Sequence, residues 1–163
     1  LKIFAVYDTK YGNTKNLAEN ILEGIKEAGH FEIAIGYAKD VNLQEIAEYD
    51  ALIMGGPNHM GKPSRTISKF KDSLQKAPLK ARWAAVFDTY YAKPKNCGKA
   101  MKRMENTINK KLPSLKLIVP GVSIKVEGVN GPIAEGELPK CKEFGNRIAN
   151  ELETNVQPAL ASH

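Results

Sequence analysis

Five short apolar runs alternate along this chain with segments whose apolar residues recur every three or four positions, and this alternation restricts the fold more than any other feature. The runs cover residues 2–7, 31–37, 51–54, 82–87, and an interrupted pair, 115–119 and 122–126, broken at Pro120-Gly121. Helical patterns fall between and after them at about 14–28, 41–49, 64–76, 97–111 and 137–153. Near-continuous apolar strands are those buried on both faces. Strands separated by helices run parallel, with right-handed crossovers that put helices on both sides of the sheet. The expected fold is α/β, a three-layer doubly wound five-stranded parallel sheet. With 163 residues and 42% hydrophobic content, the chain suffices for one core and falls short of two ordinary domains. A single domain over 1–153 with a loose C-terminal tail over 154–163 is expected.

In such a sheet the loops leaving the carboxyl ends of the strands gather at one end, so the unusual loops matter most. The first strand enters its helix through Thr9-Lys10-Tyr11-Gly12-Asn13-Thr14. A helix start carries unpaired N–H groups and the positive end of the macrodipole. Gly12 lets the backbone wrap closely, and the hydroxyls of Thr9 and Thr14 add donors, which suits a phosphate. The same residues also make an ordinary strand-to-helix turn, with Asn13 or Thr14 as N-cap.

The pattern Thr-x-Tyr-Gly-Asn-Thr resembles the phosphate loop of flavodoxins, which holds the monophosphate of flavin mononucleotide (FMN). The resemblance covers almost the whole chain and implies a flavodoxin-like fold with strand order 2-1-3-4-5. It implies FMN as the cofactor. The flavin ring is flat and amphipathic, so it needs apolar or aromatic walls and backbone groups at its edge. The loop after the third strand offers Pro57, Asn58, His59, Met60 and Gly61; the loop after the fourth offers Asp88, Thr89, Tyr90 and Tyr91. Tyr90 and Tyr91 are placed to stack on one ring face, with Pro57, His59 and Met60 walling the other. In that family a carbonyl after strand three turns toward the ring when it takes up one electron and a proton. By resemblance the Met60-Gly61 peptide is the first candidate and Gly55-Gly56 the second, since glycine makes such a rotation inexpensive. Trp83, at the start of strand four, is expected to pack in the core.

The function implied is a low-potential electron carrier working between redox-partner proteins through the flavin semiquinone/hydroquinone couple. Two other functions fit the same features: an FMN-dependent NAD(P)H:quinone-type reductase, and a flavodoxin-like binding module without flavin. The short loops leave little sequence for a substrate lid and favour the carrier, with no catalytic residue assigned. A monomer or weak homodimer is expected.

Lys and Arg outnumber Asp and Glu by 24 to 18, giving a net charge of +6, whereas flavodoxins are usually acidic. Lys62, Lys93, Lys95 and Lys99 fall around the ring-binding loops, where positive charge favours the reduced anion. The basic residues lack the aromatic interleaving of a nucleic-acid module, so no nucleic-acid partner is expected. No apolar run reaches membrane-spanning length and no secretory signal is evident, so a cytoplasmic location is expected. Cys97 and Cys141 lie apart, with neither metal-ligand spacing nor reason to expect a disulfide. The run Gly56 to Lys62 approaches a nucleotide-binding P-loop, but Pro63 stands where the magnesium-ligating hydroxyl belongs. Only Gly12 occupies the first loop, too few glycines for a dinucleotide fingerprint. Gly55 and Gly56 stand where a signalling receiver domain needs its phosphoacceptor aspartate.

Overall fold

The computed structural model describes residues 1–91 and 94–155. The elements in chain order are β1 (Lys2–Tyr7), α1 (Asn13–Ala28), β2 (Glu32–Tyr37), α2 (Leu43–Ile46), β3 (Ala51–His59), β4 (Lys62–Pro63), α3 (Arg65–Leu74), β5 (Trp83–Tyr90), α4 (Lys99–Lys111), β6 (Lys116–Leu117), β7 (Val122–Lys125) and α5 (Leu138–Asn155). The sheet runs β2-β1-β3-β5-β6. β7 also pairs parallel with β5, so the fifth position is one strand broken in two. This is the 2-1-3-4-5 order, with seven strands in all because of the break and a short antiparallel β4. At the break, a side chain on Gly121 would collide with Met101 of α4.

The period-two alternation of strand side chains divides the core between the two faces. Ile3, Ala5 and Tyr7 of β1 join Leu17, Ile21 and Ile25 of α1 and Cys141, Phe144, Ile148 and Leu152 of α5. Phe4 and Val6 point the other way, to Ile67, Phe70 and Leu74 of α3 and Met101, Met104 and Ile108 of α4. Helices therefore cover both sides, as doubly wound topology requires.

The departures from expectation lie at the carboxyl ends of the central strands. β3 continues past Met54 to His59, and β5 past Phe87 to Tyr90. Gly55, Gly56 and Pro57 stay in parallel register with Phe87, Asp88 and Thr89, because the ladder is made by backbone groups whatever the side chains are. α3 begins after Ser64, whose Oγ accepts the Ile67 N–H at 3.3 Å, so Pro63 lies just before the cap. α4 begins at Lys99, after Gly98 in the left-handed region. α2 is one turn long, capped by Asn42. The expected tail beyond Asn155 lies outside the described residues.

Candidate functional site

α1 starts without a side-chain cap. Gly12 precedes it at φ 90°, a conformation that residues with a Cβ rarely adopt. Its N–H donates to Thr9 Oγ1 at 2.9 Å, which fixes the loop. The first bond of the helix runs from the Asn16 N–H to the Gly12 carbonyl at 3.1 Å. The N–H groups of Asn13, Thr14 and Lys15 thus find no acceptor among the described residues, and neither Asn13 nor Thr14 caps the helix. Bare donors at the positive end of a helix form an anion site. The Lys10 ammonium stands nearby, 5.5 Å from the centre of the Tyr11 ring.

The segment after Met54 is a hairpin. β4 pairs antiparallel with the end of β3, Asn58 opposite Pro63 and His59 opposite Lys62. The turn between them places Met60 at φ 54° and Gly61 at φ 87°, positive at both central positions as a type I′ turn demands. Met60 is 97% exposed. Asn58 braces this turn from both ends of its amide: Oδ1 accepts the Gly61 N–H at 2.7 Å, and Nδ2 donates to the Asn96 carbonyl at 2.6 Å. The stem of Lys99 lies against Gly61, 3.3 Å from where a Cβ would be. Gly55-Gly56 is placed differently. The Gly55 carbonyl accepts the Asp8 N–H at 3.0 Å inside the ladder, and a Cβ at Gly55 would overlap the Phe87 ring. Rotating that peptide breaks sheet bonds; rotating Met60-Gly61 does not.

The three loops bound one crevice. The first contributes Thr9, Lys10, Tyr11, Asn13 and Thr14; the second Pro57, Asn58 and His59; the third Thr89, Tyr90 and Tyr91. Val126 and Val129 complete it, and sequence reasoning missed both. The available signal was Val129, an exposed apolar residue between Gly128 and Gly131. That loop reaches back to the start of α1, where Gly131 lies against the Asn13 side chain. Tyr11, Met60, Tyr91 and Val129, four of the large apolar side chains exposed among the described residues, gather around the crevice and its hairpin. At about 180 Å³ the crevice is smaller than the ~300–1,000 Å³ of sites that engulf a ligand.

Four of the expected site residues are not among those lining the crevice: Gly12, Met60, Gly61 and Asp88. The first three shape the turns beside it. Asp88 is fully buried and directed at α4, where Oδ2 accepts the Met101 N–H at 2.9 Å and Oδ1 bonds the Ser123 hydroxyl. Ser123 Oγ in turn accepts the Gly98 N–H at 2.8 Å. Burial pushes the Asp88 carboxyl up to about 6, against the hydrogen bonds from Ser123, Met101 and Ala100 that pull it down. Trp83 is half-buried at the far end of β5, against the core, as expected. Lys62, Lys95 and Lys99 are exposed around the hairpin; Lys93 lies outside the described residues.

A family model described as "Flavodoxin domain" matches residues 4–123. The flavodoxin of Clostridium beijerinckii is 32% identical over 147 residues, 89% of this chain and 97% of that protein. The flavodoxin of Clostridium saccharobutylicum is 25% identical over 166 residues, covering 94% of this chain and 98% of the relative. The match to the flavodoxin of Aquifex aeolicus is 30% identical but spans 45% of this chain and 40% of that protein. Among solved structures, a flavodoxin from the domain Archaea superposes with a TM-score of 0.75 at 24% identity, covering 94% of this chain and 99% of the other. At that identity the likeness speaks for the fold.

Proposed function

The chain belongs to the flavodoxin family, and on that premise we propose that it binds FMN non-covalently in the crevice and carries single electrons between redox-partner proteins. The observation that carries this reading is the convergence of an uncapped helix start with paired tyrosines at one end of the sheet. The residues present fit the cofactor. The free N–H groups of Asn13, Thr14 and Lys15, the hydroxyls of Thr9 and Thr14, and the Lys10 ammonium suit a monophosphate. Tyr90, Tyr91, Pro57 and His59 suit the faces of a flat ring.

FMN, when bound, supplies reversible one-electron chemistry. The chain's part is to hold the phosphate, sandwich the ring and leave an edge open to partners. The Met60-Gly61 peptide lies outside the parallel ladder at that edge, and its reorientation requires only that the Gly61 N–H leave Asn58 Oδ1. Lys62 and Lys99 bring positive charge to the hairpin and favour added negative charge on the cofactor. The second reduction potential is therefore expected to be less negative than in an acidic surrounding, which potentiometric titration reads directly. No described helix is long and apolar enough to cross a membrane. The reading includes a cytoplasmic carrier acting as a monomer or weak homodimer.

Flavin titration of the purified chain, paired with an NAD(P)H oxidation assay using a soluble quinone, tests the proposal. Binding of FMN tighter than riboflavin by about a hundredfold is expected from several charge-assisted phosphate bonds, with no sustained NAD(P)H turnover. Fast quinone-dependent turnover would make the protein a reductase. Failure to take up FMN would make it a binding module.

A further inference from the structure

The hairpin that borders the crevice on its His59 side borders a second opening on its Lys62 side. This cleft, about 690 Å³, runs between α3 and α4. Lys62, Arg65, Lys69, Arg103, Lys110 and Lys111 line it, against the single carboxylate of Asp72. Lys71 also lines it while only 7% exposed, its ammonium donating to Thr107 Oγ1 across the cleft at 3.3 Å. Burial lowers the basicity of that ammonium, with the nearby Lys111 charge acting the same way and Asp72 opposing. The ion pairs among the described residues involve Lys2, Lys15, Lys80, Lys140 and Lys142, none of which lines the cleft.

Cations gathered in one concavity repel one another and focus a positive field outward. No aromatic side chain lines the cleft, so it offers no platform for stacking bases. It lies instead beside Met60 and the apolar rim of the crevice, so a partner seated on the cations also meets apolar surface at its edge, a mixture of contacts that suits a folded protein. We propose that this cleft is the docking surface for an acidic redox-partner protein, seated so that its edge covers Met60 and faces the crevice. The proposal rests on the carrier reading above. The partner's carboxylates supply the counter-charge that the cleft lacks, and its edge over Met60 reaches across the hairpin toward the crevice.

The test uses the soluble domain of cytochrome b5, an acidic haem protein, as probe and basic mitochondrial cytochrome c as its counterpart. The isotope-labelled, FMN-loaded chain is titrated with each at low salt, and, after anaerobic reduction of the flavin by stoichiometric dithionite, electron transfer from it to each oxidised cytochrome is followed by stopped flow. Amide shifts confined to α3, α4 and the hairpin are expected with the acidic probe. Transfer to it should be at least about tenfold faster than to the basic one, with the advantage lost near 0.5 M salt. The triple charge reversal K69E/K110E/K111E should abolish the preference, while K26E/R82E/K116E, equal in charge but remote, should leave most of it. Shifts elsewhere, or equal effects of the two triple variants, would overturn the proposal by showing net charge alone at work. Tighter binding of a DNA duplex than of the acidic probe at the same salt would overturn it too. Mapped binding without electron transfer would uphold the surface and sink the carrier; transfer without preference would do the reverse.

Discussion

On one side of the sheet α1 and α5 meet backbone to backbone, whereas on the other α3 and α4 are separated by a groove of like charge. A Cβ at Gly145 would overlap the Ile21 carbonyl, and one at Gly24 would overlap the Lys142 carbonyl, so the backbones of the first pair touch at both glycines. A Lys142–Glu27 ion pair at 3.2 Å crosses the same seam. Across the groove the described side-chain bond is the one from Lys71 to Thr107. α4 is held chiefly from its start, through the buried Asp88 carboxylate, and by its apolar face on the sheet. Both faces bury a full hydrophobic layer, yet one closes completely and the other opens next to the crevice. If the proposed docking surface holds, stability and partner recognition fall to opposite faces.

The strongest way to break the contrast is to wedge apart the closed face. Gly145→Val should cost about 3 kcal/mol or more in urea unfolding, because the intruding methyls meet backbone and not a flexible side chain. A loss under about 1 kcal/mol would mean the helices are free to separate. Asp88→Asn probes how the open face holds α4. The Asp88 carboxyl has a folded pKa of about 6 against 3.8 unfolded, so its contribution is fully present below 3.8 and is lost as pH rises through about 6. The amide stays neutral, can still accept the Met101 N–H and can donate to Ser123. The variant should gain on the parent as pH rises from 4 to 7, by roughly 2–3 kcal/mol in all. A pH-independent difference would count against the buried charge.

Asn58→Ala should cost about 1–2 kcal/mol, through loss of its bonds to Gly61 and Asn96, and should speed amide exchange at Gly61. Unchanged exchange would show the turn to be braced by other contacts. The smallest effect is expected at Lys71→Met. Methionine replaces the buried stem and removes a desolvated charge with one hydroxyl partner, so the urea midpoint should move by less than about 1 kcal/mol equivalent. A much larger loss would make the groove a stability element like the seam opposite.

The layers were legible because burial on two faces leaves apolar runs, and amphipathic helices leave a three-four rhythm; the strand order came from the resemblance of the first loop to the flavodoxin phosphate loop. The continuation of β3 through Gly55, Gly56 and Pro57 was not legible, since backbone pairing with β5 leaves no mark on side-chain polarity. The crevice was foreseen through Thr9, Thr14, Tyr90 and Tyr91, whose chemistry advertises a ligand. Asp88 shows the opposite case: a carboxylate at the end of a strand reads as a site residue, and only the position of α4 turns it inward. The basic cleft was equally hidden, because basic residues scattered along the sequence are brought together by packing α3 beside α4.

The central claim is tested most directly by the visible absorption spectrum of the FMN-loaded protein during stepwise anaerobic reduction. The account predicts that a one-electron-reduced flavin with long-wavelength absorption accumulates before the spectrum bleaches. Bleaching in a single two-electron step, with no such species at any stage, would contradict it.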